Sequence, residues 1–145
     1  MLKSLLSRLL SGNASVHDIP ENEQLEGLNL RKALDAHEQW KERLQKALDG
    51  AGEYRMLDVA TVGQDCNCEL GQWLYGPGKK KFGRMAEYEQ ARVAHAGFHL
   101  AAAEVIIEHH SGNEQKAREL LTGRFRTASN KNQLALVRLF ATARR

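Results

Sequence analysis

The chain has 145 residues, 42% of them hydrophobic and 27% charged, with a net charge of +3, which is the size and balance of one soluble globular domain. Its 2 cysteines, Cys66 and Cys68, stand one residue apart. That excludes a framework of structural disulfides and points to free thiols, a redox switch or a metal ligand in a reducing compartment. Only 2 prolines interrupt the chain, and runs of strand-forming residues are missing, so the expected fold class is all-α.

Residues 2 to 10 place Leu2, Leu5, Leu6, Leu9 and Leu10 on one helical face. Such a helix suits a partner helix or a return onto its own domain better than a membrane surface. Lys3, Ser4, Ser7 and Arg8 break its apolar run, so it is not a secretory signal, and no segment reaches the roughly 20 apolar residues of a transmembrane helix. The expected location is cytoplasmic. Residues 11 to 27 are polar, carry Gly12 and Pro20 and read as a linker, which places the domain at 28 to 145.

The first long helix is predicted from about Leu28 to Asp49, stopping at Gly50 and Gly52. Its apolar stripe is Leu30, Ala33, Leu34, Trp40, Leu44, Ala47 and Leu48, and His37 falls inside it. After a less regular stretch at 53–65, a short helix carries Cys68, Leu70, Trp73 and Leu74 and is closed by YGPG. KKKFG reads as a basic loop. A long helix from about Arg84 to His110 turns Met85, Tyr88, Ala91, His95, Phe98, His99, Ala102, Val105 and Ile106 inward. Asn113 caps a last helix that reaches almost to Arg145 and weakens around residues 129–133. The expected architecture is an antiparallel four-helix bundle with a short, interrupted second helix.

Charge is uneven. Residues 113–145 hold 8 basic and 2 acidic side chains, a net +6, against −3 for the rest. No nucleic-acid motif accompanies them, so the basic last helix reads as a solvated face or a contact for an acidic partner, with no nucleic acid expected.

The polar residues on apolar stripes are the candidates for chemistry. His95 and His99 are four apart and share one face of a helix. With His37 and Cys68 they supply three imidazoles and one thiolate, the number and softness of donors that tetrahedral zinc prefers. Core histidines bonded to backbone carbonyls are the competing reading, and composition and spacing do not choose between the two. Cys66 points to a different face. Asp35 and Asp65 are candidate acceptors for imidazole N–H groups. Gly71, one turn after Cys68, leaves room for a close backbone, and Trp73 and Leu74 would cover the sulfur. His17, His109 and His110 read as solvated. An enzyme is not expected. Ala96, Gly97 and Phe98 lie between His95 and His99, where a hydrolytic zinc helix carries its general base, and a fourth protein ligand would close the site.

Three segments resemble one family. CELGQWLYG at 68–76 matches the Cys-x-Leu-Gly-x-Trp-Leu signature of the bacterial chemoreceptor zinc-binding (CZB) domain family. AHEQWKERL at 36–44 is similar to its upstream histidine segment, and HAGFHLAA at 95–102 to its His-x-x-x-His helix. The resemblance implies Zn2+ held by His37, Cys68, His95 and His99, in a cytoplasmic regulatory module that usually forms a homodimer. Such modules are attached to chemotaxis receptors or to enzymes of cyclic-di-GMP signalling. No output domain fits within the remaining residues, so a stand-alone zinc sensor acting through a partner protein is expected, with thiol-redox sensitivity at Cys68. The alternative is a purely structural zinc in a protein-interaction module.

Overall fold

The computed structural model describes residues 2–50, 57–66 and 68–143. The expected stop at Gly52, the irregular stretch over 53–56 and the approach of the last helix to Arg145 lie outside the described residues. Eight α-helices are described: α1 (Leu2–Leu10), α2 (Leu30–Leu48), α3 (Val59–Gly63), α4 (Glu69–Tyr75), α5 (Pro77–Phe82), α6 (Ala86–His110), α7 (Glu114–Thr122) and α8 (Arg124–Ala143). The all-α expectation holds. Among the described residues the only strands are the two-residue β1 (Gln24–Leu25) and β2 (Leu28–Asn29), paired antiparallel with Gln24 opposite Asn29. Glu26 and Gly27 turn the chain between them with positive φ of 46° and 84°, the backbone of a tight hairpin.

Local signals set most helix ends. Asn29 caps α2 by accepting from the Lys32 amide at 2.9 Å, and Gly50, at φ 77°, follows its end. Two expectations about boundaries are corrected. The KKKFG stretch is helical, because Pro77 pre-sets the first turn of α5 and buried Phe82 anchors its end; a run of lysines shows no apolar period from which to read this. The last helix is two helices, broken at Gly123 (φ −108°, ψ −88°). The polar stretch at 129–133 lies unbroken inside α8, with Asn130 and Lys131 exposed and Asn132 buried.

Helix α6 is the central element and packs on α8, α7 and α3, while α2 touches α6, α7 and α8. α1 folds back onto α8, burying Leu2 and Leu5. Val16 and Ile19, from the polar segment after α1, are also buried. The interior divides into two apolar clusters. One gathers Leu30, Leu34, Leu70, Leu74, Ala91, Leu136 and Phe140; the other gathers Leu44, Val62, Phe98, Val105, Leu121 and Phe125. His37 lies on α2 between Leu34 and Leu44, and His95 and His99 lie on α6 between Ala91 and Val105. The buried imidazoles therefore form a polar layer where the two clusters meet.

Candidate metal centre

His37, Cys68, His95 and His99 come together from α2, the start of α4, and α6, with one donor atom of each within 4.8 Å of all the others. The three imidazoles are buried, with exposures of 5%, 0% and 3%, and Cys68 is half-buried. The edges of the cluster are short. His95 Nε2 lies 3.1 Å from both His37 Nε2 and His99 Nε2. Cys68 Sγ lies 3.1 Å from His95 Nε2, 3.6 Å from His99 Nε2 and 3.8 Å from His37 Nε2. A zinc ion with ordinary bond lengths at the centre of a tetrahedron would set nitrogen–nitrogen edges of about 3.3 Å and nitrogen–sulfur edges of about 3.6 Å. The donor set fits that ion.

The imidazoles are oriented by backbone. His37 Nδ1–H donates to the Ala33 carbonyl at 2.7 Å and His99 Nδ1–H to the Val62 carbonyl at 2.9 Å. These bonds leave an acceptor lone pair on each Nε2, the form that binds metal. Two such lone pairs facing His95 Nε2 cannot both be satisfied by one proton, whereas one cation satisfies them together. His95 Nδ1 is buried with no hydrogen-bond partner. Neither candidate acid accepts from an imidazole of the cluster. Asp35 is 4.0 Å from Arg31, and the Asp65 carboxylate accepts from Tyr75 Oη at 2.6 Å. Carbonyls one helical turn away or in the neighbouring α3 are closer than either carboxylate.

Cys68 is the cap of α4 rather than a residue within it. Its sulfur accepts from the Gly71 amide at 3.3 Å. A Cβ on Gly71 would lie 2.8 Å from the Asp65 carbonyl carbon, closer still to its oxygen, and 3.0 Å from Cys66 Cα. Gly71 is thus the surface on which the loop carrying the thiol rests, as its position suggests. Cys66 is exposed and outside the donor cluster. Trp73 packs in the neighbouring apolar cluster. Its indole donates to the Glu26 carbonyl at 2.9 Å and its ring lies near Phe82 and Phe140. The rings edge-on to the histidines are Phe98, 5.0 Å from His37, and Trp40, 6.5 Å from His99. His17 and His110 are exposed, but His109 contacts Glu114.

Burial sets the protonation states. It lowers His37 to about 4, with the nearby His99 adding to the effect and the bond to Ala33 opposing it. Burial lowers His95 too, reinforced by His37 and His99, and it lowers His99 against the bond to Val62. All three are neutral at pH 7. Burial pushes the Cys68 thiol up, opposed by the amides of Gly71 and Leu70. A metal cation is the group that holds such a sulfur as thiolate.

For the metal-free chain the sign of the pH dependence follows. Unfolded imidazoles take up protons near about pH 6.5, while the folded ones resist until about 4 in the case of His37. The unfolded state binds more protons in that window, so stability is full above it and falls as the pH drops through it. Thermal unfolding of metal-stripped protein is expected at a lower temperature at pH 5 than at pH 7.5. Equal midpoints would contradict neutral burial.

Residues 37–106 match the family model of the chemoreceptor zinc-binding domain. The match opens on His37 and includes Cys68, His95 and His99, so every donor of the cluster lies inside the matched segment. Comparison with curated proteins and with solved structures gives no match. Among the described residues no helix is long and apolar enough to cross a membrane.

Proposed function

We propose that His37, Cys68, His95 and His99 hold one zinc ion and that the chain is a non-catalytic zinc-binding sensor module of bacterial signalling. The donor separations carry this reading, since four donor atoms all within 4.8 Å of one another account for three buried imidazoles and a thiol that otherwise lack a common partner. Zinc bound there supplies a fixed positive charge that makes the thiolate the stable form of Cys68. The chain's own residues do the rest. Ala33 and Val62 orient two imidazoles, Phe98 and Trp40 limit water, and Cys68 joins the metal to the first turn of α4. Packing of α6 on α7 and α8, and of α2 on all three, supports a bundle of α2, α6 and the α7–α8 pair, with α4–α5 as its interrupted member.

Signalling follows from where the thiol sits. α4 is short, begins at Cys68 and ends at Gly76, so releasing the sulfur loosens the helix. Zinc occupancy docks α4, and loss of zinc or oxidation of Cys68 by a peroxide releases it to be read by a partner protein of the chemoreceptor or cyclic-di-GMP type in the cytoplasm. Amide hydrogen exchange over residues 68–78 is expected to slow at least tenfold on zinc loading. Identical exchange in both forms would leave a purely structural zinc, which would also resist mild chelation.

The partner includes a second copy of the chain. α6 exposes Val93, Leu100 and Ile107, at 54%, 57% and 45%, in a stripe repeating every seven residues as in a helix–helix seam. Gly97 on the same side has nothing within 4 Å of an added Cβ. Glu87 and Glu89 start this helix and His109 and His110 end it, so antiparallel pairing sets unlike groups together. Light scattering is expected to show a dimer that Leu100→Glu with Ile107→Glu converts to monomer. A parent that is monomeric at micromolar concentration would contradict the seam.

A further inference from the structure

A second site lies outside the metal centre, where the end of α4, the length of α5 and the start of α6 enclose a cleft of about 630 Å3 lined by Tyr75, Lys79, Lys80, Phe82, Arg84 and Arg92 among others. Lys81 also lines it. Lys79, Lys80, Lys81 and Arg84 are exposed, and among the described residues none of the four forms an ion pair. The single acid on the wall, Glu89, is already engaged, accepting from Arg92 Nε at 3.0 Å. Four uncompensated cations around one concavity make a strong positive field, which low-dielectric walls concentrate.

The walls are firmly built. A Cβ on Gly78 would come 2.8 Å from the Trp73 ring, so the α4–α5 corner is packed backbone against indole. Tyr88 donates from α6 to the Leu74 carbonyl and ties the helix bearing Arg92 to the end of α4. Tyr75, 40% exposed, brings an aromatic ring to the cleft.

The cleft also touches the metal centre's own loop. Tyr75 Oη donates to Asp65 Oδ2 at 2.6 Å, and Tyr75 and Arg92 line the same cleft. Asp65 rests on Gly71, and its carbonyl oxygen is 3.7 Å from Cys68 Sγ. One side chain therefore stands between the cationic wall and the segment that presents the thiol.

We propose that this cleft binds a phosphorylated small molecule of about nucleotide size, and that its occupancy is coupled to the metal centre through Tyr75 and Asp65. The volume lies within the roughly 300–1,000 Å3 of small-molecule sites. A phosphoryl group matches several lysine and arginine donors converging on one space. The exposed Tyr75 ring is a stacking face for a planar base. A ligand that draws Arg92 or Tyr75 toward its phosphate alters the bond to Asp65 and so the setting of Cys68. By linkage, zinc then changes the affinity for the ligand by the same factor as the ligand changes the affinity for zinc. Binding itself is independent of the zinc reading; only the coupling rests on it.

The test is titration of the full chain with adenosine monophosphate, followed by phosphorus NMR and calorimetry, in zinc-loaded and metal-stripped forms. Saturable one-to-one binding is expected in both forms, with affinities that differ between them. Lys80→Gln with Arg84→Gln is expected to weaken binding at least tenfold, while Lys116→Gln with Arg126→Gln, which removes the same charge elsewhere, leaves it unchanged. Tyr75→Phe keeps the binding and removes its dependence on zinc. Non-saturating binding, or equal weakening by the two double variants, would show only charge screening and overturn the site. Displacement of the nucleotide by a polyglutamate peptide at lower concentration than by inorganic phosphate would overturn the small-molecule assignment. Binding with no difference between metal forms would overturn the coupling alone.

Discussion

Gly71→Ala is expected to destabilise the protein by about 3 kcal/mol, the upper end of the usual penalty for an overfilled interior, and to weaken zinc binding at least tenfold. The added methyl would overlap the Asp65 carbonyl and press on Cys66 Cα. These are backbone atoms and cannot turn aside as a flexible side chain would. The loop over residues 65–68 must lift, carrying the Cys68 sulfur with it and breaking its bond from the Gly71 amide. Gly97→Ala serves as the control. Nothing lies within 4 Å of its added methyl, and within a helix alanine is favoured over glycine by roughly 0.5–1 kcal/mol. Chemical denaturation and competition with a chromogenic zinc chelator check both variants. A Gly71→Ala protein with parental stability and zinc affinity would contradict the close contact.

His95→Leu separates metal binding from folding. His95 is the most buried of the four donors and the one nearest to the others, with three contacts of 3.1 Å. Its loss is expected to lower zinc affinity by more than the about 100-fold that can follow loss of a mere orienting partner. The metal-free chain should respond the other way. His95 Nδ1 is buried without a partner, and removing an unsatisfied polar group from such a place relieves a penalty of about 1–3 kcal/mol. The metal-free variant is thus expected to unfold at a higher temperature than the metal-free parent, while added zinc stabilises the parent only. A variant that zinc still stabilises would remove His95 from the site.

Much of this centre is legible in the sequence because helical periodicity is a strong signal. Three histidines on apolar stripes at positions 37, 95 and 99 are anomalies that the spacing alone exposes, and the structure brings them to one point. Cys68 is legible as a donor but not as a helix cap, since a cap depends on the loop before it. The carbonyl that orients His37 could have been inferred, as Ala33 is one turn back on the same helix. The partner of His99 could not, because Val62 reaches it from α3 by tertiary packing, and charge alone made Asp35 and Asp65 candidates beside their reading as surface charges. KKKFG reads as a loop because three lysines carry no periodicity, although Pro77 before them is a helix-start signal. Gly123 likewise divides α7 from α8, whereas the apolar period weakens only later, at the polar residues 129–133. The basic cleft escaped reading for a related reason: the lysines of α5 are local, but Arg84, Arg92 and Tyr75 join them only after the α4–α5 corner folds.

Zinc K-edge X-ray absorption of the purified protein tests the central claim most directly. The donor cluster predicts one zinc per chain in a four-coordinate shell of three nitrogens at about 2.0 Å and one sulfur at about 2.3 Å, with the sulfur contribution gone in Cys68→Ser. A shell with no sulfur in the parent protein, or one left unchanged by that substitution, would contradict it.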